Sequence, residues 1–341
     1  MHYLEIKGSS KVSRLFVGES YKNVEKYLPS SPVVIIADSN VYDNYHEAFP
    51  KVRTIKIDTS EKMKNLDTVS YIINELVEME ADRSLFLLGI GGGILCDIAG
   101  FVASIYMRGI SFGFVSSTLL SQVDASVGGK NGVNFRGYKN IVGVFNQPDF
   151  VICDPDILKT LPKEELLNGC AEIIKHGAIA DKNLFEYLED NYQGILSMDR
   201  DVVERVVYDS VVIKSDVVNR DEKEKGERRK LNFGHTIGHA VEKVTGVSHG
   251  KAIGLGIVAA AKLSETKALL SAEDKIRIIS LLQNVGLSVE MKTDKEKVLD
   301  AMKRDKKREG DHIHFVLLNG IGRAVIENIT IKELEEYFIN A

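Results

Sequence analysis

The segment Leu231-Asn232-Phe233-Gly234-His235-Thr236-Ile237-Gly238-His239 sets two imidazoles four residues apart, on one face of a helix. His249-Gly250 follows where the next helix would begin, and Glu172 and His176 are also four apart, on a helix expected after Pro162. Imidazoles and a carboxylate that leave one position open are the donors of a catalytic divalent ion such as zinc. Taken singly, each histidine reads as a hydrogen-bonded surface or core group, and the clustering is what points to a metal. A zinc-protease reading fails, because Thr236 stands where H-E-x-x-H needs its glutamate.

A second group of residues suits anions. Leu85 to Gly89 runs into Gly91-Gly92-Gly93 and then a helix carrying Asp97. A strand, a glycine turn and a helix N-terminus present backbone N–H groups to a pyrophosphate; a tight turn that binds nothing has the same pattern. Asp38, with Asn40 just beyond it, ends an apolar strand. A carboxylate there either accepts from an adenosine ribose, favouring NAD over NADP, or caps the following helix. Asp124 and Lys130 flank Gly128-Gly129, Lys139-Asn140 follow, and Lys175 lies three residues after Glu172. Lys214, Arg228 and Asp305-Lys306-Lys307 complete the set. Singly these are surface cations; together they suit a phosphate-accepting pocket beside a metal.

The elements that must carry these groups change character along the chain. Val33 to Ala37, Val52 to Ile57, Leu85 to Leu88, Phe112 to Val115 and Phe150 to Cys153 read as strands, the first and third as buried parallel strands. Leu66, Val69, Ile72, Ile73, Leu76 and Val77 mark one helical face between them. This alternation predicts a parallel sheet with right-handed crossovers. Pro148, Pro155 and Pro162 read as a junction, and no proline follows. Beyond it, 164–179, 202–218, 232–244, 252–270 and 272–285 are predicted helices, with a late hairpin from His312 to Leu318 and Ala324 to Glu327. The charged run 220–230 reads as a solvated loop.

The 341 residues are more than one core usually fills, so two domains are expected. With 44% apolar and 27% charged residues, wholesale disorder is excluded. A net charge of −5 argues against a protein that coats nucleic acid or an anionic membrane. No apolar stretch has the length of a membrane span, and the first residues lack the basic-then-apolar pattern of a secretion signal. Cys96, Cys153 and Cys170 are odd in number and form no Cys-x-x-Cys pair, which fits a reduced cytoplasmic compartment.

The order and spacing of several blocks resemble the 3-dehydroquinate synthase family of sugar-phosphate cyclases. They are Gly91 to Asp97, Arg108-Gly109, Thr118 to Lys130, Lys139-Asn140, Thr160-Leu161-Pro162, Ala171 to Lys175, Leu231 to His239 and Asp305 to Lys307. The resemblance runs nearly end to end. It implies an α/β Rossmann-like, NAD-binding N-terminal domain over 1–160 and a mainly α-helical, metal- and substrate-binding C-terminal domain over 161–341. It places one divalent ion, zinc or cobalt, on Glu172, His235 and His249, which leaves His176 structural. Cofactor contacts fall on Asp38, Asn40, Glu61, Lys64, Gly92, Gly93, Asp97, Ser117, Thr118, Lys130, Lys139 and Thr160. Substrate contacts fall on Asp124, Lys130, Asn140, Lys175, Lys214, Arg228, Asn232, His239 and Lys306. Arg108 is implied to reach the substrate phosphate from a neighbouring subunit, which makes the protein a homodimer.

The implied reaction converts 3-deoxy-D-arabino-heptulosonate 7-phosphate to 3-dehydroquinate and phosphate, in the shikimate pathway to aromatic amino acids. It runs by NAD-mediated oxidation, phosphate elimination, reduction, ring opening and intramolecular aldol closure, largely a positioning task. Alternatives are another sugar-phosphate cyclase, or a metal- and NAD-dependent polyol dehydrogenase of the glycerol dehydrogenase type. Two positions depart from the family pattern. Ser116 replaces the proline usual before the Ser/Thr-Thr-Leu-Leu segment, here Ser117 to Leu120, and Lys251 replaces the glutamate usual after His249-Gly250.

Overall fold

The computed structural model of the chain describes residues 1–8, 11–291, 294–303, 308–309 and 312–340. The chain forms two compact units, Met1–Leu161 with Val203–Lys223, and Pro162–Val202 with Glu224–Ala341. The sequence expectation gave 203–223 to the second domain. The structure groups this segment with the first unit, to which several bonds tie it. Lys214 bonds Asp124, the Lys7 N–H donates to Asn219, and the amino terminus pairs with Glu204.

The first unit runs β1 (His2–Lys7), β2 (Val12–Val17), β3 (Val33–Asp38), α1 (Ser39–Tyr45), β4 (Arg53–Ile57), α2 (Leu66–Glu78), β5 (Phe86–Gly91), α3 (Gly93–Ile105), β6 (Ser111–Ser116), β7 (Lys130–Phe135), β8 (Tyr138–Phe145) and β9 (Phe150–Cys153). Seven strands form one sheet in the order β1-β2-β9-β6-β5-β3-β4. All neighbours pair parallel except β1 with β2. Val34 to Asp38 and all of β5 are buried, as expected for strands covered on both faces. On α2 the predicted face is narrower than its periodicity suggested: Val69, Ile72 and Leu76 are buried, whereas Leu66 and Val77 are exposed. The β1-β2 and β7-β8 hairpins were not anticipated. β8 is exposed at six of its eight residues and carries no inward-facing apolar alternation that would reveal it.

The second unit contains α4 (Lys163–Ala180), α5 (Lys182–Leu196) and the first residues of α6 (Arg200–Arg220). It continues with α7 (His235–Thr245), α8 (His249–Thr266), α9 (Ala272–Val285), α10 (Lys295–Lys303), β10 (Arg308–Glu309), β11 (His312–Leu318), β12 (Ala324–Thr330) and α11 (Ile331–Asn340). α4 is buried from Leu166 to Ile179, and α8 is buried at most positions, so both are core helices rather than amphipathic surface ones. The late hairpin has the expected partners, closing on Leu318 opposite Ala324. α5 was not foreseen; Asp181 starts it by accepting from the Asn183 and Leu184 N–H groups.

The expected helix 232–244 is shorter than predicted. Glu227–Asn232 is a 3-10 turn, Gly234 takes the left-handed conformation (φ 76°), and α7 starts at His235. The 220–230 run is likewise not a wholly solvated loop, because Arg228 is buried at 2% exposure. Among the described residues no helix is long and apolar enough to cross a membrane.

Candidate functional site

Three side chains of the second unit converge. Glu172 projects from the middle of α4, fully buried, and its Oε1 lies 3.2 Å from His249 Nε2 and 3.5 Å from His235 Nε2. One ligand atom from each of the three lies within 4.8 Å of the others. His235 is the first residue of α7 and His249 the first of α8, so both rings hang from helix starts over the same carboxylate. The other carboxylate oxygen, Oε2, is held by Lys175 three residues along α4, itself 1% exposed.

The protonation of Glu172 and His235 suits a cation, whereas His249 carries its own positive charge until an ion displaces its proton. Burial alone would raise the Glu172 pKa, but Lys175 and the two imidazoles outweigh it and hold the carboxyl well below the usual carboxylate range. His235 is driven well below its ordinary value, chiefly by burial, and is neutral. Its Nδ1 lies 3.1 Å from the Phe233 carbonyl, so that nitrogen carries the hydrogen and donates it. The Nε2 lone pair then faces an ionised oxygen, an arrangement that calls for a positive ion between them. For His249, burial opposes the charge, but Glu172 and Glu242 raise its pKa to about 9; Glu242 Oε2 lies 3.9 Å from the Nδ1. Two nitrogens and one oxygen around zinc, with bonds of about 2.0–2.2 Å, stand about 3.3–3.5 Å apart in a tetrahedron. The observed 3.2 and 3.5 Å separations fit that ion.

His239 lies one turn along α7, its ring centroid 5.1 Å from that of His235. Asn232 donates to Glu224 Oε1 at 2.5 Å. Glu224 and Glu242 were not singled out from sequence. The first sits in a charge run that reads as solvated, and the second bears on His249 only because α7 and α8 pack together. His176 is fully buried on α4. Lys306 lies outside the described residues.

In the first unit the parallel strands reverse direction of progress between β3 and β5. α1 carries the chain outward to β4, and α2 brings it back past β3 to β5. Ligands of open α/β sheets bind beyond the carboxyl ends of strands at such a switch point. Asp38 ends β3 and Gly91-Gly92-Gly93 follows β5, at that place. Asp38 does cap α1, accepting from the Val41 N–H at 3.1 Å, and it also accepts from the Thr59 hydroxyl. Gly92 begins α3 with no side-chain cap on the helix amides. Its missing side chain admits Thr118, since a Cβ on Gly92 would lie 2.8 Å from the Thr118 methyl; a Cβ on Gly93 would meet Ala125 equally closely. The Ser117 N–H donates to the Gly91 carbonyl, and its buried hydroxyl has no hydrogen-bond partner among the described residues. An uncapped helix start, a glycine turn and a waiting hydroxyl are suited to a dinucleotide.

The remaining polar residues of this unit form short chains. Buried Lys64 bonds the Asp97 carboxylate and the Asn140 side-chain oxygen (2.6 Å). Burial pushes the Asp97 carboxyl up and Lys64 opposes it, with a net rise. Glu61 accepts from Asn134 at 2.8 Å and pairs with Lys139 at 3.5 Å. Lys214 bonds both the carboxylate and the carbonyl (2.5 Å) of Asp124. Thr160 meets the Tyr45 hydroxyl at 3.0 Å. Asn40, Lys130 and Arg108 are exposed.

Comparison with known proteins agrees with this layout. The family model for the 3-dehydroquinate synthase N-terminal part matches residues 54–168, and that for the C-terminal part matches 169–308. The chain is 42% identical to the 3-dehydroquinate synthase of Thermoanaerobacter pseudethanolicus, over 92% of this chain and 90% of that protein. Among solved structures, 2-deoxy-scyllo-inosose synthase complexed with carbaglucose-6-phosphate, NAD+ and Co2+ superposes with a TM-score of 0.90 at 26% identity, covering all of both chains. The 2-epi-5-epi-valiolone synthase of Streptomyces hygroscopicus, with NAD+ and Zn2+ bound, gives 0.88 at 26%, covering 96% of this chain and 95% of that one. With both family models matched in sequence order and 42% identity across nine-tenths of its length, the chain belongs to the 3-dehydroquinate synthase family.

Proposed function

We propose that the protein converts 3-deoxy-D-arabino-heptulosonate 7-phosphate to 3-dehydroquinate and phosphate, using NAD and one zinc or cobalt ion. The observation that carries this reading is the Glu172 carboxylate: one oxygen faces the Nε2 atoms of His235 and His249, and Lys175 neutralises the other. When bound, the ion supplies Lewis acidity to a chelated hydroxyl, and NAD supplies a reversible hydride acceptor.

Glu172, His235 and His249 are the ligands in this reading. Asp38, Asn40, Glu61, Lys64, Asp97, Lys130, Lys139 and Thr160 bind the cofactor together with Gly92, Gly93, Ser117 and Thr118, so residues 1–160 act as the NAD domain, while the metal ligands all lie within 161–341. Lys130, Lys175, Lys214, Arg228 and Lys306 supply positive charge for the substrate's phosphate and carboxylate. Asp124, Asn140, Asn232 and His239 supply directional hydrogen bonds that orient its hydroxyls. The buried, unpaired thiols suit a cytoplasmic location. A homodimer is supported by Arg108, which stands exposed in left-handed backbone (φ 68°) between the exposed Ile105 and Met107 on one side and Gly109 on the other.

The test is phosphate release from the heptulosonate phosphate, with NAD and zinc, before and after a chelator. Chelator-sensitive release of phosphate with 3-dehydroquinate is expected. Net reduction of added NAD without phosphate release would instead identify a polyol dehydrogenase.

A further inference from the structure

Helix α8 begins at His249 without a cap of its own, since Ser248 at the capping position makes no hydrogen bond to the helix amides. Its second amide, the Gly250 N–H, donates instead to Asn168 Oδ1 on α4 at 2.7 Å, in a buried contact. Asn168 is 5% exposed, and its Nδ2 donates to Glu165 Oε2 at 3.2 Å, which fixes the side-chain amide with its oxygen towards α8. The two backbones also touch here. A Cβ on Gly250 would lie 2.7 Å from Asn168 Cα and 2.8 Å from the Leu167 carbonyl oxygen.

Four residues along α4, on the same face, the Glu172 carboxylate meets His249 Nε2 at 3.2 Å. The two contacts are therefore neighbouring rungs between the same pair of helices. Sliding or lifting the α8 start would break the Gly250 bond and move the His249 ring away from Glu172 together. Lys251 adds an outer, exposed rung to Glu164 at 3.1 Å, so its charge is directed to the start of α4. An exposed pair of this kind contributes little, and the buried rung carries the alignment.

We propose that Asn168 is a positioning residue for His249, capping α8 from the neighbouring helix and so setting the third ligand of the metal site. The inference rests on the reading of Glu172, His235 and His249 as metal ligands. Partners that orient a ligand without touching the ion typically change metal affinity by one to two orders of magnitude.

The experiment is zinc binding to the full chain in competition with a chromophoric chelator. Asn168→Ala is expected to bind zinc about 10–100-fold more weakly. The control is Asn168→Asp combined with Glu165→Gln, which keeps an acceptor at the same reach and a donor beside it in place of two facing carboxylates; it is expected to stay within about threefold of the unsubstituted protein. In the cobalt-loaded form the visible absorption bands of Asn168→Ala should shift while those of the double variant do not, a change that general loss of stability does not produce. Should Asn168→Ala fail to fold, Asn168→Leu fills the volume without an acceptor and carries the same expectation. Unchanged affinity and spectrum in the acceptor-less variant overturns the proposal, as does an equal loss in the double variant. Failure of the unsubstituted protein to take up zinc or cobalt overturns the functional reading itself, a result distinct from either.

Discussion

A β-carbon on Gly256 would stand 1.9 Å from the carbonyl oxygen of Gly234. α8 therefore passes directly against the left-handed residue from which α7 and His235 start. Gly256→Ala must displace that backbone, and the expected loss is about 3 kcal/mol, only partly offset by the ~1 kcal/mol helix-propensity gain. Chemical denaturation should record the loss. Zinc retained after gel filtration should also fall, because His235 moves with Gly234.

Glu172→Gln is expected to remove the metal and to cost about 3–5 kcal/mol, since it leaves Lys175 buried without its carboxylate. Adding Lys175→Met should return most of that stability while the protein remains metal-free and inactive. A double variant no more stable than Glu172→Gln would show that the two charges do not balance each other.

Tyr337 on α11 donates to the Ala259 carbonyl on α8 at 2.9 Å, and burial pushes its pKa from 10.0 to about 12. The folded state thus favours the neutral phenol. Its stabilising contribution is complete below pH 10 and is lost as pH rises through about 12. Tyrosinate absorbance titrations of the unsubstituted protein and Tyr337→Phe should differ by one late-titrating phenol, and the unsubstituted protein should lose more melting temperature across that window.

All three cysteines are buried, and burial raises every thiol, those of Cys153 and Cys170 to about 12. Alkylation by iodoacetamide at mildly alkaline pH should leave the folded protein unmodified and label every cysteine in denaturant. Rapid labelling of the native protein would contradict the burial.

What could be read beforehand was whatever a short stretch decides for itself. β3 and β5 announce themselves as apolar runs because both of their faces are covered, and His235 and His239 stand out by type and spacing, whereas the choice of His249 over His239 as the partner of Glu172 comes only from the family resemblance. The start of α7 was not legible. Asn232 to His239 has helical periodicity throughout, and the left-handed break at Gly234 lies against Gly256 of another helix, whose missing side chain leaves room for it. Residues 202–218 read correctly as helix, yet the unit that 203–223 join is set by contacts distant in sequence, such as Lys214 bonding Asp124, 90 residues away. Asp38 admitted both a capping and a ribose-binding role from its position. The structure realises the first, and the place of β3 at the sheet's switch point keeps the second available.

The pairing of Glu172 with Lys175 also bears on the metal-free protein. An internal acid that already has a resident counter-charge does not need a dissolved cation to offset its burial. Folding and ion uptake are thereby separable at this carboxylate.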